Sequence, residues 1–188
     1  MTTINSLHCI TIVGGGAGGL ELATRLGDTL GKKKLAEIIL IDDSETHIWK
    51  PLIHEIAAGT INSHEDELSY LAHASLHHFS FRLGQVSKVN REARQITTEP
   101  TLDAQGVEYI PKRNFRYDSL ILAVGGISND FGIQGIKEYC HFIDQHQQAN
   151  LFHQHLLRSC YKAHTQNTPI KKTSYTLLSP ERVPLESN

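Results

Sequence analysis

The chain has 188 residues, 39% hydrophobic and 20% charged, with a formal net charge of −2, which suits one domain with a proper core and falls short of a two- or three-domain enzyme. No basic excess marks a phosphate-backbone binder, so nucleic acid is not an expected partner. The opening Met1-Thr2-Thr3-Ile4-Asn5-Ser6 lacks a basic segment leading into an apolar run, and no stretch approaches the ~20 apolar residues that span a bilayer. A cytoplasmic chain is expected.

Residues 7–13 (LHCITIV) are short, β-branched and largely apolar, the composition of a strand buried on both faces of a parallel sheet. A glycine cluster from Gly14 to Gly19 ends it. In the following LELATRLGDTL, Leu20, Ala23, Leu26 and Leu30 recur at helical spacing, and Gly31 with Lys32 to Lys34 closes the helix at its negative end. Residues 36–41 (AEIILI) predict a second buried strand, completing a strand–helix–strand unit with a connection short enough for parallel pairing.

Residues 46–58 read as irregular around Pro51 and then helical, and residues 66–78 as a helix with Leu68, Leu71 and Leu76 inside. Short alternating segments over residues 81–98, around a polar turn at Asn90 to Arg94, predict an antiparallel β-meander. A loop with Pro100, Gly106 and Pro111 leads to a third buried strand at residues 119–124 (SLILAV), ending at Gly125-Gly126. Residues 144–164 predict an amphipathic helix with Ala149, Phe152 and Leu156 on one side.

The three cysteines, Cys9, Cys140 and Cys160, have no C-x-x-C spacing, so they read as buried or incidental thiols. Among twelve histidines, His73 and His77 share a helix face at i, i+4. No H-E-x-x-H pattern accompanies them, and a solvated histidine-rich surface is expected in place of a metal site.

The chemistry concentrates in Gly14-Gly15-Gly16-Ala17-Gly18-Gly19, a G-x-G-x-x-G at Gly14, Gly16 and Gly19. Gly14 permits the tight turn out of the strand, Gly16 leaves no Cβ between backbone and a pyrophosphate, and Gly19 lets the helix approach the sheet. The helix start at Ala17 and Gly18 offers N–H groups and a positive dipole end to anions. Asp42 closes the second strand at the distance where an acidic residue bonds ribose hydroxyls. Its carboxylate argues against a 2′-phosphate, having no adjacent Arg to offset the like charge. An aspartate that merely ends a strand in a turn does not explain that spacing. The expected fold is therefore α/β: a Rossmann-like dinucleotide-binding domain with a parallel sheet and an inserted antiparallel β-meander, incomplete at its C-terminal end.

The blocks IVGGGAGGLELATRLG, LIDDSETHIWKPLIHEIAAG, DELSYLAHA and YDSLILAVGGISNDFG resemble the FAD-binding portion of type II NADH dehydrogenases, flavoenzymes of the pyridine nucleotide-disulfide oxidoreductase superfamily. The resemblance runs from His8 to about Thr176. It implies FAD as cofactor, with NADH and quinone as partners of a complete member. It also implies peripheral attachment, through a region outside this chain, to the cytoplasmic face of the inner membrane. It further places Lys50, Pro51 and Leu52 along the flavin, and Ala123, Val124, Gly125 and Gly126 near the pyrophosphate. Taken alone, Lys50 fits a solvated surface lysine and Trp49 a core aromatic; the resemblance is what assigns both to the site.

Asp43 departs from the family pattern, which often has a basic residue beside the adenine, and Gly126 stands where serine is common. No acid–base or nucleophilic residue is nominated, because in such enzymes the flavin carries the chemistry. The missing cysteine pair separates the chain from the disulfide-reducing and sulfide-oxidising relatives.

Residues 1–165 are expected to form the FAD-binding domain, and residues 166–188 a junction toward an NADH-binding domain. Within the junction, residues 177–188 (LLSPERVPLESN) resemble neither a strand nor a dinucleotide loop. Glu181, Val183 and Glu186 have codons beginning with G at the spacing of G-x-G-x-x-G, so the tail is expected to be an out-of-frame reading of the second glycine motif. A non-catalytic nucleotide-binding module is the alternative, and the oligomeric state and the quinone are left open.

Overall fold

The structure, a computed structural model, describes residues 7–47, 49–61, 68–103 and 105–165. The first apolar run forms β1 (His8–Val13), and its glycine-ended turn opens α1 (Ala17–Leu26), extended by a π-turn at Gly27–Gly31. Next come β2 (Ala36–Asp42), β3 (Thr46–His47), a 3-10 turn at Lys50–Leu52, α2 (Ile53–Ala58), β4 (Leu68–Ser69) and α3 (Tyr70–Leu76). Then follow β5 (Ser80–Leu83), β6 (Val86–Asn90), β7 (Gln95–Thr98), β8 (Thr101–Leu102), β9 (Glu108–Ile110), β10 (Arg113–Arg116), β11 (Ser119–Leu122), α4 (Ile136–Tyr139) and α5 (His146–Thr165).

A four-stranded parallel sheet in the order β11-β1-β2-β5 forms the centre. One face packs Ile12, Ile38 and Leu40 against Leu20 and Ala23 of α1 and Tyr70 and Ala74 of α3. The opposite face packs Val13, Ile39 and Ile41 against Ile96 and Tyr117 on the side of the antiparallel β10-β7-β6 sheet. Covering on both sides is why β1 and β2 read as nearly continuous apolar runs. The Asp118 carboxylate accepts the Cys9 N–H at 2.8 Å, tying the start of β11 to β1. A separate small core joins Ile53, Ile56 and Ala57 of α2 to Ala149 and Phe152 of α5, the helix face expected from the sequence.

Four expectations need correction. Residues 81–83 belong to β5 of the parallel sheet, and the third meander strand is β10, in a stretch that reads as loop. Alternation over 81–83 suits either sheet; burial of Phe81 against the Tyr70 ring, with centroids 5.0 Å apart, goes with the parallel one. The helix expected over 66–78 is α3, which starts at Tyr70 with Ser69 as its cap, the Ser69 Oγ accepting the Ala72 N–H at 3.4 Å. Tyr70 and Ala74 are its buried residues, while Leu68, Leu71 and Leu76 are exposed, because the short helix meets the sheet along one narrow stripe. Residues 66 and 67 lie outside the described residues.

The strand expected to be buried over 119–124 ends at Leu122 and is an edge strand among the described residues. Leu122 is 60% exposed and Val124 67%. His73 and His77 form part of a junction between helices, where a solvated surface was expected. Their rings lie 4.2 Å apart, His73 Nε2 bonds Thr24 Oγ1 at 2.8 Å, and His77 Nδ1 faces the Asp28 carboxylate at 3.0 Å. The expected junction at 166–188, its out-of-frame tail included, lies outside the described residues.

Candidate functional site

From β1 the chain steps outward to β2 and β5, then returns to place β11 on the other flank of β1. That reversal leaves a crevice at the carboxyl ends of the strands, where open α/β sheets take their ligands. It is a cleft of about 760 Å³. Of the residues singled out from the sequence, Gly14, Gly16, Ala17, Gly18, Asp42, Lys50, Pro51, Ala123, Gly125 and Gly126 line it. Gly19 is buried in the first turn of α1, Val124 lines an adjoining 220 Å³ hollow with Asp43, Gly84, Gln85 and Val86, and Leu52 lines neither.

Packing divides the loop glycines into two kinds. Gly14 has φ +100°, and a Cβ there would sit 2.5 Å from the Ala123 carbonyl oxygen. A Cβ on Gly19 would overlap the Gly14 carbonyl oxygen, so both positions are demanded by the chain itself. Gly16 and Gly18 are different: a Cβ on either would meet no atom of the protein within 4 Å. Gly16 also begins α1 with no side-chain cap and no acidic residue in the first turn. The backbone there is bare toward the cleft and carries the positive end of the helix dipole, a cradle that suits a phosphate.

Asp42 has a second task beside the expected one. Its carboxylate accepts the Gly15 N–H at 2.5 Å and the Ser44 N–H at 2.9 Å. A carboxylate offers about four acceptor positions, so capacity remains for ribose hydroxyls. Burial and the neighbouring Asp42 charge push the Asp43 carboxyl above the usual carboxylate range. Lys50 reaches across the cleft to donate to the Gly126 carbonyl at 3.2 Å. Trp49 is 58% exposed on the cleft wall, which removes the core-aromatic alternative.

Sequence reasoning missed His47, Tyr70 and the residues Asp144 to Gln147, all of which line the cleft. Asp144 bonds both the backbone N–H and the hydroxyl of Ser128, at 3.0 and 2.7 Å, holding the segment after β11 near the start of α5. Tyr70 stood in a block that resembled the family, yet no spacing rule leads from it to the glycine loop. Cys9 is buried, Cys140 and Cys160 are exposed, and all three are free thiols.

A parallel sheet whose strand order reverses beside a bare glycine loop, with an acid at the end of the second strand, defines a dinucleotide-binding α/β fold. Residues 8–169 match the family described as pyridine nucleotide-disulphide oxidoreductase, and the chain belongs to that family. More particularly, it is 43% identical over 158 residues to the type II NADH:quinone oxidoreductase of Haemophilus influenzae, covering 84% of this chain and 35% of that protein. The enzyme of the same name from Staphylococcus aureus strain RF122 is 31% identical over 149 residues, covering 78% of this chain and 33% of the relative.

The chain thus spans about a third of the length of these curated relatives. Among solved structures, NDH2 from Plasmodium falciparum in complex with NADH matches with a TM-score of 0.69 at 22% identity, covering 86% of this chain and 31% of that one. The sulfide:quinone oxidoreductase of Aquifex aeolicus matches with a TM-score of 0.63 at 19% identity, covering 82% and 32%. At such identities these two matches speak for the fold. The resemblance drawn from the sequence blocks and the α/β fold class are both borne out.

Proposed function

We propose that residues 1–165 are the FAD-binding unit of a type II NADH:quinone oxidoreductase. The observation that carries this is the uncapped start of α1 beside Gly16, where the backbone lies open to the cleft and no protein atom would meet a Cβ. A dinucleotide pyrophosphate suits that cradle in size and sign. Asp42 would take the ribose hydroxyls with its remaining acceptor capacity, and the hollow of about 220 Å³ beside Gly84, Gln85 and Val86 would take the base beyond it. Lys50, Pro51 and Leu52 on one side and Ala123, Val124, Gly125 and Gly126 on the other would flank the rest of the cofactor.

Redox chemistry, from hydride acceptance from NADH to electron delivery to a quinone, is what FAD supplies when bound. The chain's own residues bind and orient. Lys50 places a cation at the far end of the cleft and steadies the Gly126 carbonyl. The exposed Trp49 ring offers an apolar wall that can exclude water from a planar ring system. NADH and quinone belong to the proposed activity of the whole enzyme, as do its cytoplasmic setting and peripheral membrane attachment. No helix among the described residues is long and apolar enough to cross a membrane.

The test is titration of the purified chain with FAD, followed by flavin absorbance and fluorescence. Saturable binding with a protein-shifted flavin spectrum is expected. NADH binding at this loop without FAD affinity would overturn the assignment. A single glycine fingerprint is expected to leave this chain alone without NADH-dependent quinone reduction.

A further inference from the structure

Gly15 is one of three loop positions that the fingerprint leaves unspecified, and side chains from two other elements hold both of its backbone polar groups. Its N–H donates to Asp42 Oδ2 at 2.5 Å, and its carbonyl accepts the Tyr70 hydroxyl at 2.6 Å. Tyr70 is 2% exposed and stacks on Phe81, with rings inclined by 25°. A Cβ on Gly15 would run into the Tyr70 phenol. Resting on the dinucleotide reading above, we infer that Tyr70 is a positioning residue: with Asp42 it clamps both polar groups of Gly15 and thereby aims the loop's N–H groups at the pyrophosphate.

The geometry follows from peptide planarity. In a trans peptide the carbonyl of one residue and the N–H of the next point in opposite directions. Drawing the Gly15 carbonyl onto the buried hydroxyl therefore turns the Gly16 N–H the other way, on a residue that lines the cleft. Gly15 is thereby fixed from two elements, β2 through Asp42 and α3 through Tyr70, 27 and 55 residues away. Preorganised donors lose less freedom when an anion arrives.

The direction of the Tyr70 bond is unambiguous, because a carbonyl can only accept. His47 Nδ1 lies 3.4 Å from the same hydroxyl oxygen and can add a second donor to it. The charged groups facing the phenol are Asp42 and Asp43. Burial, reinforced by these two carboxylates, pushes the Tyr70 pKa well above its ordinary value, so the hydroxyl keeps its proton.

Tyr70→Phe in the full chain keeps the stacked ring and deletes only the donor. In the nucleotide-free protein, amide exchange at Gly15 is expected to quicken about three- to tenfold, the worth of one such bond. The Gly15 carbonyl carbon should show a chemical-shift change, with α5 amides unaltered. FAD should bind Tyr70→Phe about three- to tenfold more weakly.

Unchanged exchange and carbonyl shift in a folded Tyr70→Phe chain would overturn the clamp. FAD binding equal to that of the parent chain would overturn the positioning role while leaving the dinucleotide reading in place. Failure of the parent chain itself to bind FAD would overturn both that reading and the positioning role, and the exchange measurement would then decide the clamp alone.

Discussion

The two walls of the cleft are built on different terms. The loop from Gly14 to Gly19 sits on the sheet core, where added atoms at Gly14, Gly15 or Gly19 collide with Ala123, Tyr70 or the loop's own backbone. The facing segment after β11 is open: a Cβ on Gly126 would meet no protein atom within 4 Å, and Val124, Ile127 and Phe131 are exposed. Individual polar tethers such as Lys50 to Gly126 and Ser128 to Asp144 hold it. One wall is thus shaped by packing, and the other is held by a few polar bonds at its surface.

That contrast makes a paired prediction with the largest effect. Gly19→Ala drives a Cβ into the Gly14 carbonyl and should destabilise the chain by about 3 kcal/mol, at the upper end of overpacking costs. Gly126→Ala should stay within about 0.5 kcal/mol of the parent. Urea midpoints compare the two directly, and equal losses would abolish the distinction between the walls.

Gly16→Val separates chain-imposed from ligand-imposed glycine within one loop. Its φ of −58° and ψ of 179° are ordinary for any residue, and no protein atom opposes a Cβ. Stability should hold within about 0.5 kcal/mol. FAD affinity should fall on the order of a hundredfold through steric exclusion. A variant with parent affinity for FAD would remove the pyrophosphate from this loop.

Asp42→Ala belongs to both categories. It strips the Gly15 and Ser44 N–H groups of their acceptor and removes the proposed ribose partner, so a loss of about 1.5–3 kcal/mol is expected in FAD binding. The unfolding midpoint should fall as well, a loss that Gly16→Val lacks. Calorimetric titration and denaturation on the same sample show both.

A smaller effect should appear in the pH profile. Burial holds His47 below the usual histidine pKa, and burial with the neighbouring His77 does the same to His73. The unfolded chain therefore takes up protons that the folded chain refuses. The stability concerned is fully present above about 6.5 and is lost as pH falls through the depressed folded values. Tyr70 acts at the other end, where its raised pKa gives stability that is present below about 10 and is lost as pH climbs through the folded value. Urea midpoints across the range would show both flanks, and a midpoint unchanged between about pH 6.5 and 5 would contradict the acid one.

Much of the cleft is legible in the sequence. The glycine spacing, the apolar runs on either side and Asp42 at the end of the second run all act through local chain geometry. The block around Lys50 and Pro51 and the strand end at Ala123 came through family resemblance, and nearly all of these residues reach one cleft. Leucine spacing misled in α3 because its helix is only seven residues long and buries Tyr70 and Ala74 instead. Strand 80–83 went to the other sheet for a related reason. Four residues carry too little periodicity to name a partner strand.

The sequence by itself determined the strand–helix–strand unit, the bare backbone at Gly16 and the acid that answers it, because each depends on residues near one another along the chain or on a fixed short period. Only the tertiary structure decided that Gly15 is the clamped member of the loop. The Tyr70 phenol reaches it across 55 residues, and such an encounter depends on how α3 and β5 dock on a shared core, which no local pattern encodes.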